Sequence, residues 1–214
     1  MDVAGEALRY LGAAGDRGLR PVAEELLAML ETAAPPRWTW KAFPLSTAGD
    51  RYALGDLVLS GDTAGKMLKT CDAAVLLLCS LGARFDALLR SWEARDMARA
   101  VVLDACGSAL VEQGCDAAEQ EIRSRFPGRF LTDRFSPGYG DLPLSLQPEV
   151  CAALDGGRRL GVQAMESFLL NPSKTVTAVI GLSDRPQKAR IRGCGCCAMR
   201  DTCAVRRGGG RCGQ

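Results

Sequence analysis

Apolar positions set the first elements. In "RPVAEELLAMLETA" Val22, Leu26, Leu27 and Leu30 share one stripe at helical spacing, and Pro21 suits the first turn. "DVAGEALRYLG", just before, reads as a short helix or turn. "PPRWTWKAFPL" stops the helix, and Trp38, Trp40 and Ala42 then alternate as in a half-buried strand. "RYALGDLVLSG" predicts a hairpin turning at Gly55 and Asp56. "AAVLLLCS" is short and apolar on both faces, the mark of a buried strand. A long helical region follows from about Arg84 to Arg125, with a break near Asp96. "FPGRFLTDRF" predicts a strand, and "LSLQPEVCAALDGG" a helix with Pro148 in its first turn and Gly156 or Gly157 beyond its end. "GVQAMESFLL" and "TVTAVIGL", joined by "NPSK", have the pattern of a hairpin. Hairpins dominate over βαβ repeats, so the class is mixed α and β.

Two stretches carry polar residues where chemistry is possible. Along the long helix Asp104, Ser108, Glu112 and Asp116 recur every four residues beside the apolar Val101, Ala105 and Ala109, forming one drifting stripe. Such a stripe is either a solvated face or an acidic wall beside a cationic ligand. "SGDTAGKMLKT" imitates a phosphate-binding loop, but Gly61 and Gly65 are separated by three residues rather than four, and Met67 stands where a hydroxyl should hold magnesium. A capped helix is the expectation there.

Composition narrows the chemistry. The 214 residues, 47% hydrophobic, suit one globular domain, residues 1–184, with an appendage, residues 185–214. The N-terminus lacks a basic flank followed by an apolar stretch, and the longest apolar run, "AAVLLLCSLGA", is too short for a bilayer; a cytoplasmic protein is expected. There is no histidine, which excludes Ser-His-Asp and Cys-His catalysis, His-ligated zinc and an imidazole proton shuttle. Of ten cysteines, Cys71, Cys79, Cys106, Cys115 and Cys151 are scattered singly in apolar or helical segments and are expected in the core. From Arg185 onward eight basic residues face one acid, a net charge of +7 that leaves −5 for the preceding chain.

The loop "RFSPGYGDLP", Arg134 to Pro143, concentrates unusual residues. Pro137 followed by Gly138 predicts a tight turn. Arg134 can act as a fork for a carboxylate, Tyr139 as a flat surface with a hydroxyl, and Asp141 as an acceptor for ammonium or hydroxyl groups. The alternative is a strand-to-helix turn in which Arg134 pairs with Asp141 and Tyr139 packs.

"LTDRFSPGYGDLPLSLQ" followed by "LGVQAMESFLLNPSKTVTAVIGL", with "EALRYLG" near the start and "VVLDACGSALVEQGCD" in the long helix, resembles the free-standing relatives of the reactivation domain of cobalamin-dependent methionine synthase. The resemblance implies a C-shaped α+β domain with a bent, largely antiparallel sheet and flanking helices, binding S-adenosylmethionine. It places the methionine carboxylate on Arg134, the adenine on the backbone around Ser136 and Gly138, and the ligand's flank against Tyr139, near the approaching corrin ring. Glu166, in "MESFLLNP", matches a family carboxylate near the pocket, whereas the family's N-terminal aspartate finds only Asp16 here. The implied activity is reductive remethylation of cobalamin, and the implied partner is a cobalamin-binding methionine synthase or another corrinoid protein. The chain has no Asp-x-His-x-x-Gly signature and no histidine, so the cobalamin is expected from that partner. The alternative is a non-catalytic S-adenosylmethionine- or metal-binding accessory protein.

In "RGCGCCAMRDTCAVRRGGGRC", Cys194 and Cys197 have the two-residue spacing of metal ligands and Cys203 is within reach. Zinc and an iron–sulfur cluster both suit thiolates, the latter with a role in electron delivery; a reduced, glycine-rich tail is the alternative. The tail's charge favours docking of an acidic flavodoxin or ferredoxin, while the lack of aromatic residues in it argues against nucleic acid.

Overall fold

The computed structural model describes residues 2–187 together with residues 191, 201, 202 and 207. Two helices open the chain, α1 (Val3–Tyr10) and α2 (Leu19–Ala33). The stripe of α2 buries Leu26, Leu27 and Leu30 as its spacing demands. Pro35 and Pro36 then release the chain into β1 (Arg37–Pro44), followed by β2 (Ser46–Ala48), β3 (Arg51–Leu54) and β4 (Leu57–Ser60). The β3–β4 turn falls at Gly55, where φ is +64°, and Leu54 pairs with Leu57. After α3 (Asp62–Leu68) comes β5 (Ala73–Ser80), nearly every side chain of which is buried.

The helical region divides into α4 (Ala83–Glu93) and α5 (Met97–Arg125). Asp96 marks the break by capping α5, its carboxylate accepting from the Arg99 amide at 3.1 Å. Beyond α5 lie β6 (Phe130–Leu131), α6 (Gln147–Ala153), α7 (Gly156–Leu160), β7 (Gln163–Ala164), β8 (Leu170–Asn171) and β9 (Thr175–Ser183).

The main sheet has the order β1-β5-β9-β6 and is antiparallel throughout. A second sheet is the meander β2-β3-β4, and β7 with β8 forms a two-stranded ribbon. The sheet is buried on both faces because alternate residues of β5 serve different cores. Val75, Leu77 and Cys79 join α1, α2, α4 and α5, whereas Ala74, Leu76 and Leu78 meet Tyr52, Leu59, Met67, Phe135 and Val150. Helix α5 lies close against its neighbours through two glycines. A methyl group on Gly107 would sit 2.3 Å from the Phe85 ring, and one on Gly114 would sit 2.5 Å from Pro36 and 2.9 Å from the Cys79 sulfur.

Gly156 and Gly157 lie beyond the end of α6 as expected, and they begin α7 after Asp155 has turned the chain in the left-handed region at φ +53°. Two sequence expectations need correction. The runs around "NPSK" do not pair with each other: β8 turns back on β7, and β9 pairs with β5 and β6. The strand expected in "FPGRFLTDRF" is only two residues long, because the chain leaves the ladder at Thr132 and returns for a single bridge between Phe135 and Val179. The would-be phosphate loop is a helix with Met67 fully buried, and Cys79, Cys106, Cys115 and Cys151 are buried, with Cys71 half-buried.

Candidate binding site

The bridge at Phe135 sets the geometry of the loop. Phe135 exchanges both backbone hydrogen bonds with Val179, at 3.1 and 2.7 Å, and sends its ring into the core beneath β5 and β9. Its neighbour Arg134 must therefore point to the opposite face, toward α5. There its side chain is 5% exposed and its guanidinium meets three carboxylates. Nη2 donates to Glu112 at 2.5 Å, and Nη1 to Asp116 at 2.6 Å and to Glu119. Glu112, Asp116 and Glu119 are successive positions on one helical face. Burial works against the charge of Arg134, but its negative surroundings outweigh it and hold the guanidinium's pKa above the usual arginine range.

The acidic stripe of α5 is thus neither merely solvated nor an open wall. Its upper half binds Arg134, and its lower half binds Lys174, whose Nζ lies 2.8 Å from Asp104 and 2.9 Å from the Ser108 hydroxyl. The cations that the stripe faces are supplied by the loop before α6 and by the segment before β9. Glu119 was absent from the sequence expectation, although it continues the stripe three residues after Asp116. Nothing in the local sequence marks Lys174, because a connection between separate sheets brings it to the helix.

After Arg134 the loop makes the expected turn. The Tyr139 amide donates to the Ser136 carbonyl at 3.0 Å across Pro137 and Gly138, with Gly138 at φ +91° as a type II turn requires. The Ser136 hydroxyl donates to the Thr177 carbonyl at 2.6 Å, which fastens the turn to β9. Tyr139 stands 42% exposed.

Asp141 is not a vacant acceptor. Its carboxylate takes the amides of Asp62 at 2.5 Å and Thr63 at 2.9 Å, capping α3 from across the chain. Bonds from the Thr63 side chain and from these amides hold its pKa down to about 2. Nor does Arg134 pair with Asp141, and its guanidinium is not an unoccupied fork. Both expectations are corrected for the same reason: each side chain finds partners on a helix remote in sequence. Glu166 lies exposed in the β7–β8 turn and pairs with no group among the described residues. Cys194, Cys197 and Cys203, the expected metal ligands, lie outside the described residues.

A groove of about 340 Å³ runs beside the acidic stripe, walled by Tyr10, Met97 and Val101 and bounded by Glu93, Asp104 and Ser108. Burial raises the pKa of the Tyr10 phenol, and the charges of Glu6 and Glu112 add to the effect. Among the described residues no helix is long and apolar enough to cross a membrane.

These elements define an α+β protein with a mostly antiparallel, open sheet flanked by helices, and with a mixed-charge cluster where the chain crosses from the sheet to α6. The architecture is that of a methionine synthase activation-type fold. The chain is similar to the solved structure described as "Crystal Structure of the MetH Reactivation Domain bound to AdoHcy", with a TM-score of 0.60 and 17% identity over 91% of this chain and 75% of that one. At that identity the likeness is one of fold. No protein-family model and no curated protein sequence matches the chain.

Proposed function

We propose that this protein binds S-adenosylmethionine beside the loop from Arg134 to Asp141 and supports the reductive remethylation of a corrinoid held by a separate partner. The observation that carries the proposal is the mixed-charge cluster of Arg134 with Glu112, Asp116 and Glu119, in a fold like that of a domain bound to AdoHcy. AdoHcy is S-adenosylmethionine without its transferable methyl group. The methionine end of S-adenosylmethionine carries a carboxylate, an ammonium and a sulfonium, one net positive charge. Three carboxylates around one guanidinium offer partners of both signs with negative charge in excess, which suits that distribution.

In this proposal Arg134 exchanges part of its carboxylate shell for the ligand's carboxylate, the freed acid takes the ammonium, and backbone groups around Ser136 and Gly138 hold the adenine. Tyr139 supplies an exposed aromatic face beside the sulfonium. Glu166 contributes from the neighbouring ribbon, and Asp141 keeps the loop's shape by holding α3. Methyl transfer from a sulfonium to a reduced metal centre requires in-line placement of donor and acceptor and no protein base, consistent with a chain without histidine. Zinc or an iron–sulfur cluster on Cys194, Cys197 and Cys203, and a flavodoxin or ferredoxin as electron donor, belong to the same proposal.

Calorimetric titration with S-adenosylmethionine and AdoHcy tests the binding. Saturable binding that weakens at least tenfold in Tyr139→Ala is expected, and heat-silent titrations at millimolar ligand would refute it. Transfer of label from methyl-labelled S-adenosylmethionine to a corrinoid protein under a strong reductant tests the activity. Binding without transfer would leave the second reading, an accessory protein that binds but does not transfer.

A further inference from the structure

Strand β1 is an end strand of the main sheet, and α7 packs against it. Between them lies an open hollow of about 470 Å³ lined by Pro36, Arg37, Trp38, Thr39, Arg159 and Leu160. Its size is within the range of small-molecule sites, about 300–1,000 Å³. The polar side chains of this lining are two arginines and a threonine; no carboxylate is among them.

The two arginines are held by neutral groups. Arg37 Nη2 donates to the Arg159 carbonyl at 3.1 Å, and Arg159 Nη1 donates to the Thr39 hydroxyl at 3.3 Å. Thr39 is itself only 9% exposed, so its hydroxyl is a fixed anchor. A guanidinium has five N–H donors, and these contacts engage one on each arginine. By contrast Arg134 has three carboxylates, Arg129 has two, and Arg158, next to Arg159, has Asp155. Among the described residues neither Arg37 nor Arg159 has one. Two positive charges are thus held around one hollow with most of their donors unspent.

We propose that this hollow is a binding site for a small phosphorylated ligand with an apolar body. A phosphomonoester, with a charge of about −1.5 to −2 at neutral pH, matches two guanidiniums, where a carboxylate would match one. Its three terminal oxygens accept from both arginine forks, and the apolar body lies along Pro36 and Leu160. The Trp38 side chain turns to the other face of β1, where its Nε1 donates to Glu121 at 2.8 Å.

The test uses the full-length protein and adenosine monophosphate as the phosphorylated probe, with adenosine and inorganic phosphate as partial probes. Titration is followed by calorimetry and by Trp fluorescence in the presence of saturating S-adenosylmethionine, so the outcome is independent of the proposed function. Adenosine monophosphate is expected to bind at micromolar to low-millimolar concentration, more tightly than either partial probe and more weakly as salt rises. Arg37→Ala and Arg159→Ala should each weaken it at least tenfold, while Arg158→Ala should leave it within twofold. These arginines are exposed, and unchanged thermal unfolding midpoints would confirm that the variants fold. The proposal is overturned if adenosine monophosphate fails to bind at 10 mM, if adenosine binds equally well, or if neither Arg37→Ala nor Arg159→Ala weakens binding.

Discussion

Replacing Arg134 by methionine keeps an unbranched stem and removes the charged fork. The Arg134 side chain is 5% exposed, whereas those of Glu112, Asp116 and Glu119 are 38%, 44% and 18% exposed. Breaking a fully buried pair costs about 3–5 kcal/mol, because the surviving charge is stranded. Here Glu112 and Asp116 can rotate into water and recover much of their hydration, and Glu119 is the least exposed of the three. The expected loss is therefore about 2–3 kcal/mol, dominated by repulsion among the three acids. With a urea slope of about 2 kcal/mol per molar, the unfolding midpoint should fall by about 1–1.5 M. Discharging the least hydrated acid as well, in Arg134→Met with Glu119→Gln, should restore about 1 kcal/mol, although Glu119→Gln alone should destabilise. A loss below about 0.5 kcal/mol in Arg134→Met, or no recovery in the double variant, would refute the account of a guanidinium held by three acids.

Other predictions follow from single contacts. Asp141 has a folded pKa of about 2, below its ordinary value of 3.8, so its cap on α3 contributes fully above pH 4 and is lost as pH falls toward 2. Amide shifts of Asp62 and Thr63 in NMR spectra should move together with a midpoint near pH 2, and a midpoint near 4 would contradict the contact. Burial pushes the Cys106 thiol up to about 11 and raises that of Cys151, while the Cys79 contact and burial raise that of Cys115 well above its ordinary value. Iodoacetamide at pH 8 should leave these three unlabelled in the native protein and label them in urea, as read by peptide mass spectrometry. Both indole N–H groups of Trp38 and Trp40 donate to Glu121, at 2.8 and 3.0 Å. Glu121→Ala should therefore change the Trp fluorescence maximum without abolishing folding. Gly140→Ala should weaken the loop, since its φ is +60° and a methyl group there would lie 2.3 Å from the Thr63 hydroxyl; a lower thermal midpoint than the parent is the expected result.

Much of the fold was legible because its signals are local. Leu26, Leu27 and Leu30 declare α2, Gly55 the β3–β4 turn, and Asp96 the break between α4 and α5. Partners chosen over long separations were not legible. The period-two pattern of "TVTAVIGL" announces a strand but not that it pairs with β5 rather than with the run before "NPSK". At the candidate site the Pro137–Gly138 turn was readable from its residue types. The destination of each charged side chain was not, since Arg134 reaches 22 residues back to Glu112 and Asp141 reaches 79 back to Asp62. Periodicity on α5 identified Glu112 and Asp116 as neighbours, but only the bridge at Phe135 determines that Arg134 turns toward them.

Strand β5 has one further consequence. Because its odd and even side chains belong to different apolar compartments, it is a party wall between two rooms. Neither room can be dismantled without exposing the other's lining, so the two should melt at a single temperature, and a fragment holding one half of the chain should not stay folded alone.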